Sequence, residues 1–302
     1  MAGVASVEEL FETANGALER ANQSVWILLD RLDVAFADTA ELEQNALRAL
    51  FKTYLDLQGL ARLRLKIFLR SDIWTRLTAS GFREASHITR AATIAWNRTS
   101  LLNLIVRRAL QNKELCQLYS VDEQLLSSAA DQETLFYWMF PDQVESGANK
   151  PRTLDWLLSH TQDGSRLTAP RELIHLLNSI RDIQYRKLEL GDPAPDGGQL
   201  FTRIAIKEGM PEVSKARLEQ TLYAEYPSLR LYCEKLRGDK SAQTPDSLAN
   251  IWDVDRTEAL RVARKLVEVG FFEERVVKDL LTFWVPFLYR DALELVQGTA
   301  TD

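Results

Sequence analysis

Val25-Trp26-Ile27-Leu28-Leu29-Asp30-Arg31-Leu32-Asp33 is an unbroken apolar run of five residues that ends in two acids. A run this short, opened by Asn22-Gln23-Ser24, predicts a parallel strand covered on both faces, since a strand with one wet face alternates instead. Toward the N-terminus, Glu8 to Ala21 predicts a helix from the spacing of Leu10, Phe11, Ala14 and Leu18, with Gly16 as its weak point. In the other direction, Glu41 to Ala61 repeats Leu42, Ala46, Leu50, Tyr54 and Leu57 at helical spacing. Leu63, Leu65, Ile67 and Leu69 then alternate with Arg64, Lys66 and Phe68 at strand period. A third short strand is expected at Ala92 to Trp96, before a helix from about Thr99 to Asn112. The alternation predicts an α/β layer with a parallel sheet.

Composition bounds the rest. A chain of 302 residues, 46% hydrophobic and 26% charged, is globular, which excludes disordered, collagen-like and coiled-coil classes. The formal charge of −6 leaves no global positive field for a phosphate backbone, so any nucleic-acid contact must be local. No apolar run approaches the roughly 18 to 20 residues that span a bilayer, and Met1 to Leu10 carries two glutamates where a signal peptide has basic residues; a cytoplasmic location is expected. Cys116, Cys233 and the three histidines His87, His160 and His175 are too scattered for a zinc site or a disulfide framework.

Past about Asn112 the strand signals fade. Residues 113–188 predict a small helical domain, broken at Pro141, at Ser146 to Asn149 and at Pro151. Glu189 to Gln199 holds two prolines and three glycines and predicts a boundary loop. From about Leu200 the chain leads to Thr244-Pro245-Asp246-Ser247-Leu248, the segment Asp255 to Val269, and Gly270-Phe271-Phe272-Glu273. That order of short helix, turn, second helix and hairpin is the grammar of a winged helix. The aromatic stretch Phe283 to Tyr289 is expected to be core.

Chemistry enters at the strand ends, because open α/β sheets bind ligands beyond the carboxyl ends of their strands. An acid fixed at such a tip suits magnesium on a triphosphate, and Asp30 fits that role, with Asp33 as a second, water-orienting acid. Equally, Asp30 is a residue type that caps the turn after a buried strand. The second strand also ends in charge, Arg70-Ser71-Asp72, so two polar tips are expected on one edge.

At these residues the chain resembles the P-loop ATPases of the Sll1717 type, a branch of the signal-transducing NTPases with numerous domains. WILLDRLD at 26–33 looks like a Walker B motif; KIFLRSDIW at 66–74, Ala95-Trp96-Asn97, DG with PREL over 163–173, and EVSKARLEQTLYAEYPSL at 212–229 carry the rest. The resemblance covers nearly the whole chain and corresponds to the second half of that family. It implies residues 1–112 as a partial P-loop core, 113–188 as a helical lid and 200–302 as a helical and winged-helix-like domain. It further implies ATP and Mg²⁺ as ligands. Asp30 and Asp33 would be the catalytic acids, Asp30 also the metal ligand, and Arg70, Asp72 and Arg171 would be nucleotide-side residues. Arg70 would report the γ-phosphate, and Arg171, after Pro170 at the head of a lid helix, would point toward the nucleotide. The alternatives are a structural ion pair of Arg70 with Asp72 or Asp30, and a surface role for Arg171.

One departure governs the functional expectation. Nucleotide binding in this class uses G-x-x-x-x-G-K-[ST], and none of the thirteen glycines here precedes a lysine. The phosphate-binding strand and helix would precede Met1, making this a truncated member, a split-gene product or a derivative that lost catalysis. Autonomous ATP hydrolysis is therefore not expected. Without that central strand the sheet has unpaired edges, so a P-loop-bearing partner or self-association is expected. Residues 241–302 hold seven Lys/Arg and eleven Asp/Glu, so although Arg261, Arg264 and Lys265 share a helix face, protein docking or an autoinhibitory contact is favoured over DNA. Two functions remain: part of a regulatory, signalling or defence ATPase, or a non-enzymatic regulator that binds protein or DNA.

Overall fold

The computed structural model describes residues 6–32, 40–121, 128–277 and 279–300. The chain is mixed α/β, helix-rich with small sheets, and divides into two compact units, Met1–Ile94 and Ala95–Asp302. The expected boundaries at about 112 and over 189–199 both fall inside the second unit, where 189–199 is a largely exposed loop with one short 3₁₀ turn, Asp196–Gly198.

The first unit opens with α1 (Val7–Arg20). Its start is fixed by a reciprocal cap: the Glu9 N–H donates to Ser6 Oγ and the Ser6 N–H to Glu9 Oε2, at 3.1 and 2.8 Å. Then come β1 (Val25–Leu29), α2 (Ala40–Leu57), β2 (Leu63–Ile67) and α3 (Ser71–Ala79). β1 and β2 pair in parallel and in register, Val25 opposite Leu63 through Leu29 opposite Ile67. The connecting segment is long enough for a parallel crossover and includes α2. A small core gathers Leu47 and Phe51 from α2, Ile73 and Leu77 from α3, and Phe82, with Ile67 and Leu69 against it. The Phe51 and Trp74 rings meet edge to face at 5.2 Å.

Two expectations fail here. The apolar run of β1 is not covered on both faces: Trp26 and Leu28 are each 61% exposed, because α2 and α3 cover only the face that Ile67 lines. The third strand does not form: residues 91–97 are exposed, have no regular structure and, among the described residues, have no strand beside them to bond.

The second unit begins with α4 (Arg98–Ala109), capped by Asn97, and α5 (Lys113–Leu118), capped by Asn112. It continues through α6 (Ala129–Met139), α7 (Thr153–His160) and the long α8 (Pro170–Glu189), which has proline in its first turn. α9 (Arg203–Glu208) and α10 (Met210–Ala216) lead into a π-helical turn, Arg217–Leu222, and the short α11 (Tyr223–Glu225) and α12 (Arg230–Glu234).

After them come β3 (Lys240–Gln243), α13 (Pro245–Trp252), α14 (Arg256–Glu268), the hairpin strands β4 (Glu273–Val277) and β5 (Leu280–Trp284), α15 (Phe287–Arg290) and β6 (Val296–Thr299). The sheet order is β4-β5-β3-β6, with β3 antiparallel to β5 and parallel to β6. Helix, turn, helix and hairpin thus stand where the sequence places them. Asp253 closes α13 in the left-handed conformation, and the Asp255 carboxylate accepts from the Thr257 and Glu258 N–H groups to start α14. One continuous core runs from Leu101 to Leu293, and Phe283, Val285, Leu288 and Tyr289 are buried in it as expected.

Candidate functional site

The in-register pairing of β1 with β2 brings the two strand ends side by side: the Phe68 N–H donates to the Leu29 carbonyl at 2.9 Å, one residue before Asp30. Arg31 then turns left-handed (φ 57°), and one Asp30 oxygen accepts the Arg31 N–H at 2.8 Å. The carboxylate is exposed. It acts as a turn cap, and its second oxygen has no partner among the described residues. Asp33 lies outside the described residues.

On the neighbouring strand end, Arg70 occupies the position before α3 and grips Asp72 with a fork: Nε to Oδ1 at 3.1 Å and Nη2 to Oδ2 at 3.3 Å. Asp72 also faces Arg76 one turn on, at 3.7 Å, and Arg76 faces Glu43 of α2 at 3.6 Å. This is a half-exposed ladder of alternating charge that ties α3 to α2, and the Arg70–Asp72 pair named from the sequence is one of its rungs.

Arg171 belongs to the other unit. It is exposed in the first turn of α8 and carries no ion pair among the described residues. Its neighbour Glu172 is the buried one, 5% exposed, accepting from Arg217 Nη1 at 3.0 Å. Arg217 Nε donates to the Tyr289 hydroxyl at 3.3 Å, and Asp163 stands 3.9 Å from Nη2. Burial works against the guanidinium's charge, yet the Tyr289 oxygen, which accepts from it, and the Glu172 carboxylate outweigh it and hold its pKa above the ordinary value. Burial pushes Tyr289 up to about 12, so its hydroxyl stays protonated. The cluster sits at the first residue of the π-helical turn, a distortion frequent at functional positions. The sequence signal for it was Glu172 on the same helix face as Leu173, Leu176 and Ile180, a carboxylate within an apolar stripe.

Among the described residues no group of three or more His, Cys, Asp or Glu stands close enough to hold a metal ion. A mostly hydrated magnesium needs only one or two carboxylates, which Asp30 fits, but no phosphate cradle accompanies it in this sequence. No model of a known protein family, no curated protein and no solved structure matches the chain. Among the described residues no helix is long and apolar enough to cross a membrane.

Proposed function

We propose that residues 6–94 are one part of a nucleotide-binding P-loop core, completed by strands supplied from outside these 302 residues, and that the second unit is its regulatory and docking part in the cytoplasm. The observation that carries this is the parallel, in-register pairing of β1 with β2, whose ends present Asp30 and Arg70 on one edge. Among the described residues this sheet has two strands and both outer edges unpaired, which is the state of a sheet awaiting neighbours. In the completed site Asp30 would hold the hydrated magnesium, with Asp33 as its companion. Arg70 would exchange Asp72 for the terminal phosphate. Hydrolysis by this chain alone is not part of the proposal.

Calorimetric titration of Mg·ATP into the chain alone, and into the chain mixed with any product encoded upstream, tests it. Binding is expected only in the mixture and should lose its magnesium dependence in Asp30→Ala. Equal binding by the parent and Asp30→Ala mixtures would overturn it.

A second reading rests on a separate observation: the sheet order β4-β5-β3 around α13 and α14 fits a winged helix. On the exposed face of α14 the Arg261 guanidinium is paired with Glu258 rather than free for phosphate, and the helix ends in a second exposed acid, Glu268. We read that module as a protein-docking element. Strong, salt-dependent retention on duplex DNA would instead favour a nucleic-acid partner.

A further inference from the structure

A groove of about 400 Å³ opens between α4 and α8 in the second unit, within the usual range for small-molecule sites. Its walls are apolar: Leu104 and Ile105 from α4, Ile174 and Leu177 from α8, and Met139 and Phe201 beneath. Nothing in the nucleotide or docking readings uses it.

One polar side chain in its lining is out of place. Gln184 of α8 is 3% exposed, and its Oε1 accepts from both the backbone N–H and the hydroxyl of Thr202, at 2.9 and 3.0 Å. The backbone N–H can only donate, so the amide orientation is settled and the NH₂ lies on the other side. That Nε2 is buried and has no acceptor. A buried amide donor without a partner is unfavourable, a standing reason for an acceptor to enter.

The rim supplies the sign of charge. In a chain of net −6, the groove is lined by two arginines, Arg108 and Arg181, and among the described residues by no aspartate or glutamate. Arg181 is paired to Asp182 outside the lining, whereas Arg108 is exposed and has no carboxylate partner among the described residues. An apolar trough, a buried N–H donor and an open guanidinium select one ligand chemistry.

We infer that this groove binds a small amphipathic carboxylate, a medium-chain fatty acid or an aromatic acid of similar size. Its apolar body would lie against α4 and α8, and its oxygens would accept from Gln184 Nε2 and Arg108. No covalent step is involved. The inference does not rest on the nucleotide reading.

The test is isothermal titration of the full chain with three probes that share a tail, each kept below its aggregation concentration: decanoate, 1-decanol and decyltrimethylammonium. Decanoate is expected to bind one-to-one and at least about tenfold more tightly than 1-decanol, with the cation not binding. Arg108→Glu, at an exposed position, should weaken decanoate by about tenfold and leave 1-decanol unchanged. Gln184→Met should weaken decanoate too; because it also removes the Thr202 acceptor, Ile174→Trp, which fills the trough, serves as the second variant and should abolish binding of both decanoate and 1-decanol. Equal affinity for all three probes, no saturable decanoate binding, or indifference to Arg108→Glu would overturn the inference. So would sedimentation with phosphatidylglycerol vesicles without uptake of monomeric decanoate, which would make the surface a lipid-headgroup contact instead.

Discussion

The imidazole of His160 lies face to face with the indole of Trp156, ring centres 3.7 Å apart, and its Nδ1 donates to the Trp156 carbonyl at 2.8 Å. Phe287 stacks on the opposite face at 4.2 Å. A ring so enclosed is a neutral one: burial pushes its pKa down to about 4, against the hydrogen bond to the Trp156 carbonyl and the Glu145 charge, which act the other way.

The sign of the pH dependence follows. The folded state prefers the neutral ring, so this contribution to stability is complete above the unfolded value near 6.5 and is lost as pH falls from there toward 4. The loss is on the order of 3 kcal/mol over that window, from about 1.4 kcal/mol per unit. Urea denaturation at pH 7 and pH 4.5 should show it, and His160→Phe should remove that part of the difference while carboxylate effects persist. A variant with the parent's pH slope would refute the assignment.

At Gly164 two stretches of backbone in the second unit run very close together. The Gly164 N–H donates to the Gly270 carbonyl at 2.7 Å, and a Cβ at this position would stand 2.2 Å from the Phe272 carbonyl oxygen. Backbone cannot swing aside as a side chain can, so Gly164→Ala is expected to cost about 3 kcal/mol or more. Gly16→Ala is the contrast, in a helix interior with only the tip of Arg20 nearby at 3.7 Å, and should stabilise by about 0.5–1 kcal/mol. Thermal melts of both variants decide the pair.

Removing Arg217 strands a buried carboxylate. Arg217→Met should cost about 3–5 kcal/mol because Glu172 then lacks its ion partner, while adding Glu172→Gln should restore much of the loss. If the double variant is no more stable than the single one in denaturant melts, the pair is not the source of the effect.

The open sheet of the first unit predicts association. Trp26 and Leu28 lie on the solvent-facing side of β1, with Lys66 of β2 over the Trp26 ring at 4.8 Å. Light scattering should show concentration-dependent self-association that Trp26→Glu with Leu28→Lys reduces. A monomer at all concentrations, with β1 and β2 amides protected from exchange, would contradict this.

The two parallel strands were legible because each carries its own local signal, an apolar run and a strict alternation. Which faces would find cover was not: a run such as Val25 to Leu29 records only that its residues are apolar, and the helices pack on one side. Ala92 to Trp96 misled for a related reason, since a strand needs a partner that no local pattern supplies. Around the site, Asp30 and Arg70 were visible as strand-end charges, whereas the Glu172–Arg217 contact joins residues 45 apart and had no local trace beyond one acid on an apolar helix face. The orphaned amide of Gln184 was equally invisible, because it is defined by what Thr202 leaves unused.

The unequal cores have a consequence for handling the molecule. Few side chains are sealed in the first unit, and the stretch from Arg90 to Asn97 is exposed and without regular structure, with an arginine that trypsin accepts at its start. Digestion under native conditions should therefore nick there first, consuming the N-terminal portion and leaving a resistant fragment that begins near Ala91, held shut by the interior that links Leu101 to Leu293.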